Sequence, residues 1–157
     1  MSKPASPSIE EVLERTAALI AMSEAELASQ AAALGDEFLR SGEAVLEAWV
    51  EAKGAVPTDA TSEGFRLLAL HRQGARGNPS FNACRETCRE IVYHRNLILS
   101  DPAAPEAGHR ARLGAMVLRH LALFIGGKLE TEGLGEFCCS SRTARLYDNL
   151  ETRSESA

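Results

Sequence analysis

Leu27, Ala31, Leu34, Phe38, Ser41, Val45, Ala48 and Ala52 recur at spacings of four and three residues. Such a seam runs along one side of an α-helix. It has no counterpart in a strand, where alternate residues share a face. The pattern predicts one helix over 24–53, about 45 Å long, with Leu46 and Trp49 widening its apolar side. Ser23-Glu24-Ala25-Glu26 matches a capping box at its start. Gly54 and Pro57 stop it, and Gly35 and Gly42 are expected to bend it. A seam this regular suits the core of a bundle or a partner helix from a second subunit.

The rest of the chain reads the same way. Ile9, Val12, Leu13, Thr16 and Ile20 mark an amphipathic helix over 8–21. Further helices are expected over 62–74, 79–99 and 105–125, the last ending at Gly126-Gly127, with a short amphipathic piece near 140–150. Aromatic residues make up only 5% and strand signals are nearly absent. The fold class expected is all-α: an antiparallel helical bundle of about five helices with one long helix near 24–53. A single helical domain over 8–150 would lie between short tails at 1–7 and 151–157.

With 157 residues, 45% of them apolar and 25% charged, the chain can bury a core and does not have the composition of a disordered protein. No apolar run approaches the roughly 18 residues that a membrane span needs. The opening "MSKPASPSIE" has no apolar core of a secretory signal. The expectation is a cytoplasmic protein that does not enter a membrane. In that reducing compartment the four cysteines are expected to be free thiols, metal ligands or redox groups.

The net charge of −5 is unevenly spread. Residues 1–63 carry 4 basic and 12 acidic side chains, whereas residues 64–128 carry 10 basic and 4 acidic. This either complements within the fold or across a dimer, or presents a basic face to an anionic partner. "HRQGARGNPSF" lies in the basic region. Arg72 and Arg76 flank a glycine-containing turn that feeds a helix start at Asn78-Pro79-Ser80, and Arg85 can reach back toward it. Arg72, Arg76, Asn78, Ser80 and Arg85 are therefore candidates for binding an anion such as phosphate, a carboxylate ligand or a partner's acidic side chain. No P-loop and no dinucleotide-binding glycine pattern is present. Nucleic acid fits poorly, because the chain is acidic overall and has only two tyrosines to stack on bases.

"FNACRETCREIVYHRN" places Cys84 and Cys88 one helical turn apart. On a helix over 79–99 they share a stripe with Phe81, Ile91, Val92, Ile98 and Leu99, and His94 points away from them. Arg95 falls inside the same stripe and must snorkel or find a partner. On the next helix His109, Leu113, Met116, Val117, His120, Leu123 and Phe124 form the expected core face, which makes His120 a buried histidine that could meet the cysteines. Cys138-Cys139 could close over such a site, or act as reactive thiols beside Arg142. Cys84, Cys88, His120, Cys138 and Cys139 are thus candidate metal or redox residues, for a thiolate- and imidazole-bound zinc, copper or iron. The plainer reading is that Cys84 and Cys88 pack in the core as small apolar side chains.

No catalytic motif is present. The function expected first is a small cytosolic helical regulatory or accessory protein, homo-oligomeric, that binds an anionic ligand or a protein partner through its arginine-rich face. The alternative is a metal- or cofactor-binding bundle acting as sensor, chaperone or redox protein, followed by a thiol switch at Cys138-Cys139. An enzyme comes last.

Overall fold

Serine caps open the first two helices. In this computed structural model, which describes residues 6–133, α1 spans Ile9–Ala21 and begins at Ser8. The Ser8 hydroxyl accepts from the Glu11 amide at 3.1 Å, and the Glu11 carboxylate accepts from the Ser8 amide at 3.0 Å. The two groups satisfy each other's otherwise unpaired donors. Ser23 opens α2, Glu24–Ala28, by accepting from the Glu26 amide at 3.2 Å. The expected reciprocal bond is replaced by a contact of the Ser23 hydroxyl with the Glu26 carboxylate at 3.1 Å.

The seam is interrupted after α2 and resumes in α3, Ala31–Ala52. The break falls at Ser29 and Gln30, not at a glycine. The Ser29 hydroxyl and the Gln30 side-chain amide both donate to the Glu26 carbonyl, at 2.7 and 3.3 Å. That carbonyl is the one the Gln30 amide would take in an unbroken helix, and the Gln30 amide turns to the Leu27 carbonyl instead. Gly35 and Gly42 lie inside α3 where neighbours come close. A Cβ at Gly35 would stand 3.4 Å from Leu99, and one at Gly42 would stand 3.1 Å from Leu67.

Four more elements follow: α4, Arg66–Ala75; a 3₁₀ turn, Pro79–Cys84; α5, Arg85–Ser100; and α6, Ala107–Thr131. The described residues form six α-helices and no strand. Gly35 opposite Leu99 and Gly42 opposite Ile91 make α5 antiparallel to α3. Gly114 beside His94, and Phe124 against Phe81, make α5 antiparallel to α6 as well. Arg119 and Arg112 of α6 donate to the carbonyls of Leu13 and Met22, at 2.9 and 2.6 Å, so α1 also runs against α6. The seam residues Leu27, Ala31, Leu34, Phe38, Ser41 and Val45 are all buried within this one chain. Ala48 and Ala52, the last two residues of the seam, are half-buried.

The orientation of α6 corrects the sequence expectation. Its buried face is built of Ala107, Gly108, Ala111, Gly114, Ala115, Leu118, Leu121, Ala122, Ile125, Gly126 and Leu129. His109, Met116 and His120 are exposed, and Leu113, Val117, Leu123 and Phe124 are half-buried. Small side chains let α6 approach its neighbours closely. A Cβ at Gly114 would fall 2.7 Å from the Phe38 ring, and one at Gly108 would run into the Glu24 carbonyl. The helix also continues through Gly126 and Gly127, carried by burial of Ile125 and Leu129 on either side.

The segment between α3 and α4 is pinned by two side chains. Arg66 contacts Glu47 at 2.9 Å, Glu43 at 3.3 Å and the Thr58 carbonyl at 2.8 Å. Gln73 accepts from the Thr58 amide and donates to the Val56 carbonyl, both at 2.8 Å. Ser62 and Phe65 then pair through two backbone bonds of 3.0 Å around Glu63 (φ 54°) and Gly64 (φ 86°). Positive φ at both central residues is the geometry of a tight two-residue hairpin turn. No helix among the described residues is long and apolar enough to cross a membrane. The expected helix near 140–150 lies outside the described residues.

Candidate functional site

The corner between α4 and α5 collects the basic residues of the middle of the chain. Arg72 and Arg76 are four apart at the end of α4 and share a side of it. Gly77 (φ 70°) reverses the chain, and the 3₁₀ turn brings Asn82 and then Arg85 back alongside. Arg89 follows one turn later on α5. Arg72, Arg76, Arg85, Arg89, His71 and Asn82 line one cleft of about 530 Å³, with Leu68 and Ala75 as its apolar part. Its rim is the Ser62–Phe65 turn. Arg72 reaches the Ser62 hydroxyl at 3.5 Å, and Arg89 pairs with Glu63 at 2.9 Å. Arg76 and Arg85 make no ion pair among the described residues. The cleft therefore gathers four guanidinium groups against one carboxylate on its rim.

Asn78 and Ser80 do not line this cleft. The Ser80 hydroxyl donates to Asn78 Oδ1 at 2.9 Å, and Lys128 of α6 reaches Ser80 Oγ at 2.6 Å and Asn78 Oδ1 at 3.4 Å. Lys128 Nζ also lies 5.3 Å from the Trp49 ring centre, 5.7 Å from that of Phe81 and 5.9 Å from that of Phe124. An ammonium among three ring faces and two hydroxyl or amide oxygens is held by cation–π attraction and hydrogen bonds. This lysine ties the start of the 3₁₀ turn to α6.

The turn is anchored at its middle by Phe81. Its fully buried ring packs on Trp49 with centroids 5.1 Å apart and on His71 at 5.6 Å. Its carbonyl oxygen meets His71 Nε2 at 3.0 Å and Cys84 Sγ at 3.2 Å. An oxygen with no proton can only accept, so Nε2 carries the hydrogen of the first contact and the thiol that of the second. The Cys88 thiol donating to Cys84 holds Cys84 below the ordinary thiol range, against the opposing effect of burial, and His71 adds to the depression. The same bond and burial push Cys88 up. Burial works to lower the His71 pKa, but the bonds to Cys84 and the Phe81 carbonyl outweigh it and raise the value.

Cys84 and Cys88 are thus buried free thiols, as their stripe implied, but they lie beside a histidine and a carbonyl. His120, expected to be buried near them, is exposed on the other side of α5. There it lines a separate cleft of about 400 Å³ with Thr87, Glu90, His94 and Met116. Rotation of α6 onto its small-residue face is the reason. Among the described residues no group of three or more His, Cys, Asp or Glu side chains could hold a metal ion. Cys138 and Cys139 lie outside the described residues. Arg95 snorkels: it contacts Asn96 at 2.9 Å and Asp36 at 3.6 Å, and its guanidinium lies 5.7 Å from the Phe65 ring centre.

His71, Arg89, Asn82 and Glu63 were not singled out from the sequence. A signal existed for two of them. His71 shares its spacing with the buried Leu67, Leu68 and Gly74, so it stands on the core side of α4. Cys84-Arg85-Glu86 is repeated as Cys88-Arg89-Glu90, so a turn that exposes Arg85 exposes Arg89 on the same side. No protein-family model matches the chain, and comparison with curated proteins and with solved structures gives no significant match.

Proposed function

We propose that this is a cytosolic helical accessory or regulatory protein that binds an anionic group, phosphate or carboxylate, in the arginine cleft. One observation carries the reading: Arg72, Arg76, Arg85 and Arg89 face a single cleft, and Arg76 and Arg85 have no counter-charge among the described residues. Four cations held together repel one another, and a bound anion relieves that repulsion. Guanidinium groups present paired N–H donors that match the oxygens of phosphate and carboxylate.

Calorimetric titration of the full chain with inorganic phosphate and pyrophosphate tests this. Saturable binding that weakens with salt, and that falls at least tenfold in an Arg76→Ala/Arg85→Ala variant with an unchanged circular-dichroism spectrum, supports the cleft. Binding of equal strength in the variant, or none in the native chain, removes it. The metal-binding alternative gains no support from the described residues, because His120 is remote from the two cysteines.

A further inference from the structure

Buried cysteines usually sit among apolar groups, and there they are inert. The surroundings of Cys84 differ. Its sulfur lies 3.2 Å from the Phe81 carbonyl oxygen, on which His71 Nε2 also rests at 3.0 Å. Cys88 follows one helical turn later, and His71 itself lines the arginine cleft. A nucleophile, a base and a second thiol therefore stand together behind the lining of an open cleft. Cys84 is the last residue of the 3₁₀ turn, and Cys88 lies one turn into α5. Four residues of helix rise put their Cα atoms roughly 6 Å apart, within the span a disulfide can bridge.

We propose that Cys84, Cys88 and His71 form a peroxide-reactive dithiol at the floor of the arginine cleft, with Cys84 attacking, Cys88 resolving and His71 handling the proton. His71 keeps the Nε2 hydrogen on the Phe81 carbonyl and takes the Cys84 proton at Nδ1, the ring nitrogen without one, and the thiolate loses its contact with that carbonyl. The thiolate attacks one oxygen of a hydroperoxide ROOH. A sulfur–oxygen bond forms, the oxygen–oxygen bond breaks, and the alkoxide or hydroxide leaving takes the proton from His71. Cys84 is then a sulfenic acid. The Cys88 sulfur attacks the Cys84 sulfur, the Cys84–OH bond breaks, and hydroxide leaves with the Cys88 proton as water. The net change is two thiols and one hydroperoxide to one disulfide, one water and one ROH. A cellular dithiol restores the thiols by exchange.

Cys84 is 1% exposed and Cys88 0%. The oxidant must therefore be small and enter past His71, and hydrogen peroxide meets that condition. The Cys88 thiol and His71 favour the Cys84 thiolate over the thiol. The chemistry does not require the cleft to bind an anion, so it stands apart from the reading above.

The test uses the full chain with Cys138 and Cys139 replaced by serine, so that only the two buried thiols report. After treatment with hydrogen peroxide, tryptic digestion without reductant should yield residues 77–85 joined to residues 86–89, and dithiothreitol should separate them. In a Cys88→Ser variant, dimedone should label Cys84. In a Cys84→Ser variant, Cys88 should stay reduced. His71→Gln should slow oxidation by about a hundredfold, the usual scale of one acid–base group. If that variant does not fold, the pH dependence of the native rate stands in for it. A half-maximal rate at a pH below the ordinary thiol range supports the assignment, and one at or above that range overturns it. Thiols that remain reduced in the folded chain under peroxide that oxidises free cysteine overturn the proposal. So does dimedone labelling of Cys88 in preference to Cys84.

Discussion

His71 and Cys84 meet on a single backbone oxygen. The Phe81 carbonyl receives the imidazole N–H at 3.0 Å and the thiol at 3.2 Å. Thirteen residues separate the two side chains in sequence, and the 3₁₀ turn closes that distance. The carbonyl fixes which nitrogen of His71 carries its hydrogen, and it gives Cys84 a place to rest while protonated. Whatever loosens the turn should loosen this pair.

Lys128 is the first such element, because it holds Asn78 and Ser80 from α6. Lys128→Met keeps the side-chain length and removes the charge and its donors. We expect a loss of about 1–2 kcal/mol in stability, the scale of a partly desolvated cation–π contact and a hydrogen bond. Faster alkylation of Cys84 should accompany it. Chemical denaturation and iodoacetamide labelling give the two readouts, and unchanged labelling would show that Lys128 does not secure the turn.

Glu63 competes with any anion for Arg89, which it meets at 2.9 Å with both side chains well exposed. Glu63→Gln removes the competitor and keeps the shape of the turn. Phosphate affinity should rise by a factor of about two to five, in line with the modest worth of an exposed pair. Calorimetry at low salt measures it. Weaker binding in this variant would mean that Glu63 takes part in recognition.

Two glycines of α6 should respond in opposite directions to alanine. At Gly114 the added Cβ would stand 2.7 Å from the Phe38 ring, so Gly114→Ala should cost about 1–3 kcal/mol through overpacking. At Gly127 nothing lies within 4 Å and the residue is helical. Gly127→Ala should therefore add about 0.4–1 kcal/mol by narrowing the unfolded ensemble. Thermal or urea unfolding of both variants checks the pair, and a like sign in the two would contradict the close-packed face assigned to α6.

His94 makes stability depend on pH. Burial pushes its imidazole below the ordinary histidine range, and Glu90 only partly offsets this. The folded state thus resists a proton that the unfolded chain accepts. Stability should fall as pH drops through the ordinary histidine pKa, and the loss should level off below the depressed folded value. His71, raised in the folded state, acts in the opposite direction. The informative quantity is the difference between the native chain and His94→Gln, in which His71 is common to both. The variant should lose less stability between pH 8 and pH 5, and parallel curves would contradict the assignment.

Much of the site was written in the chain. Arg72 and Arg76 lie four apart, and any helix there puts them on one side. The stripe through Phe81, Cys84 and Cys88 buries both thiols whether the first turn is α or 3₁₀. The rotation of α6 was not legible. Reading the bulkier Leu113, Met116, Val117 and Phe124 as the core face put His120 inside, whereas Ala111, Gly114, Ala115 and Ala122 face the neighbours. Periodicity finds two stripes on such a helix and does not choose between them. The choice depends on how near Phe38 and the Glu24 backbone must come, and that is a property of the assembled bundle.

By itself the sequence determined that the chain is helical, that Ser8 and Ser23 open its first two helices, and that a basic turn joins two later ones. Spacing and capping act within a few residues, so a local reading suffices for these. Only the tertiary structure decided that His71 meets Cys84, that Arg89 joins the cleft against Glu63, and that Lys128 closes on Ser80 from 48 residues away. Each of these contacts is set by how helices of different bulk settle against one another, and no local spacing encodes that.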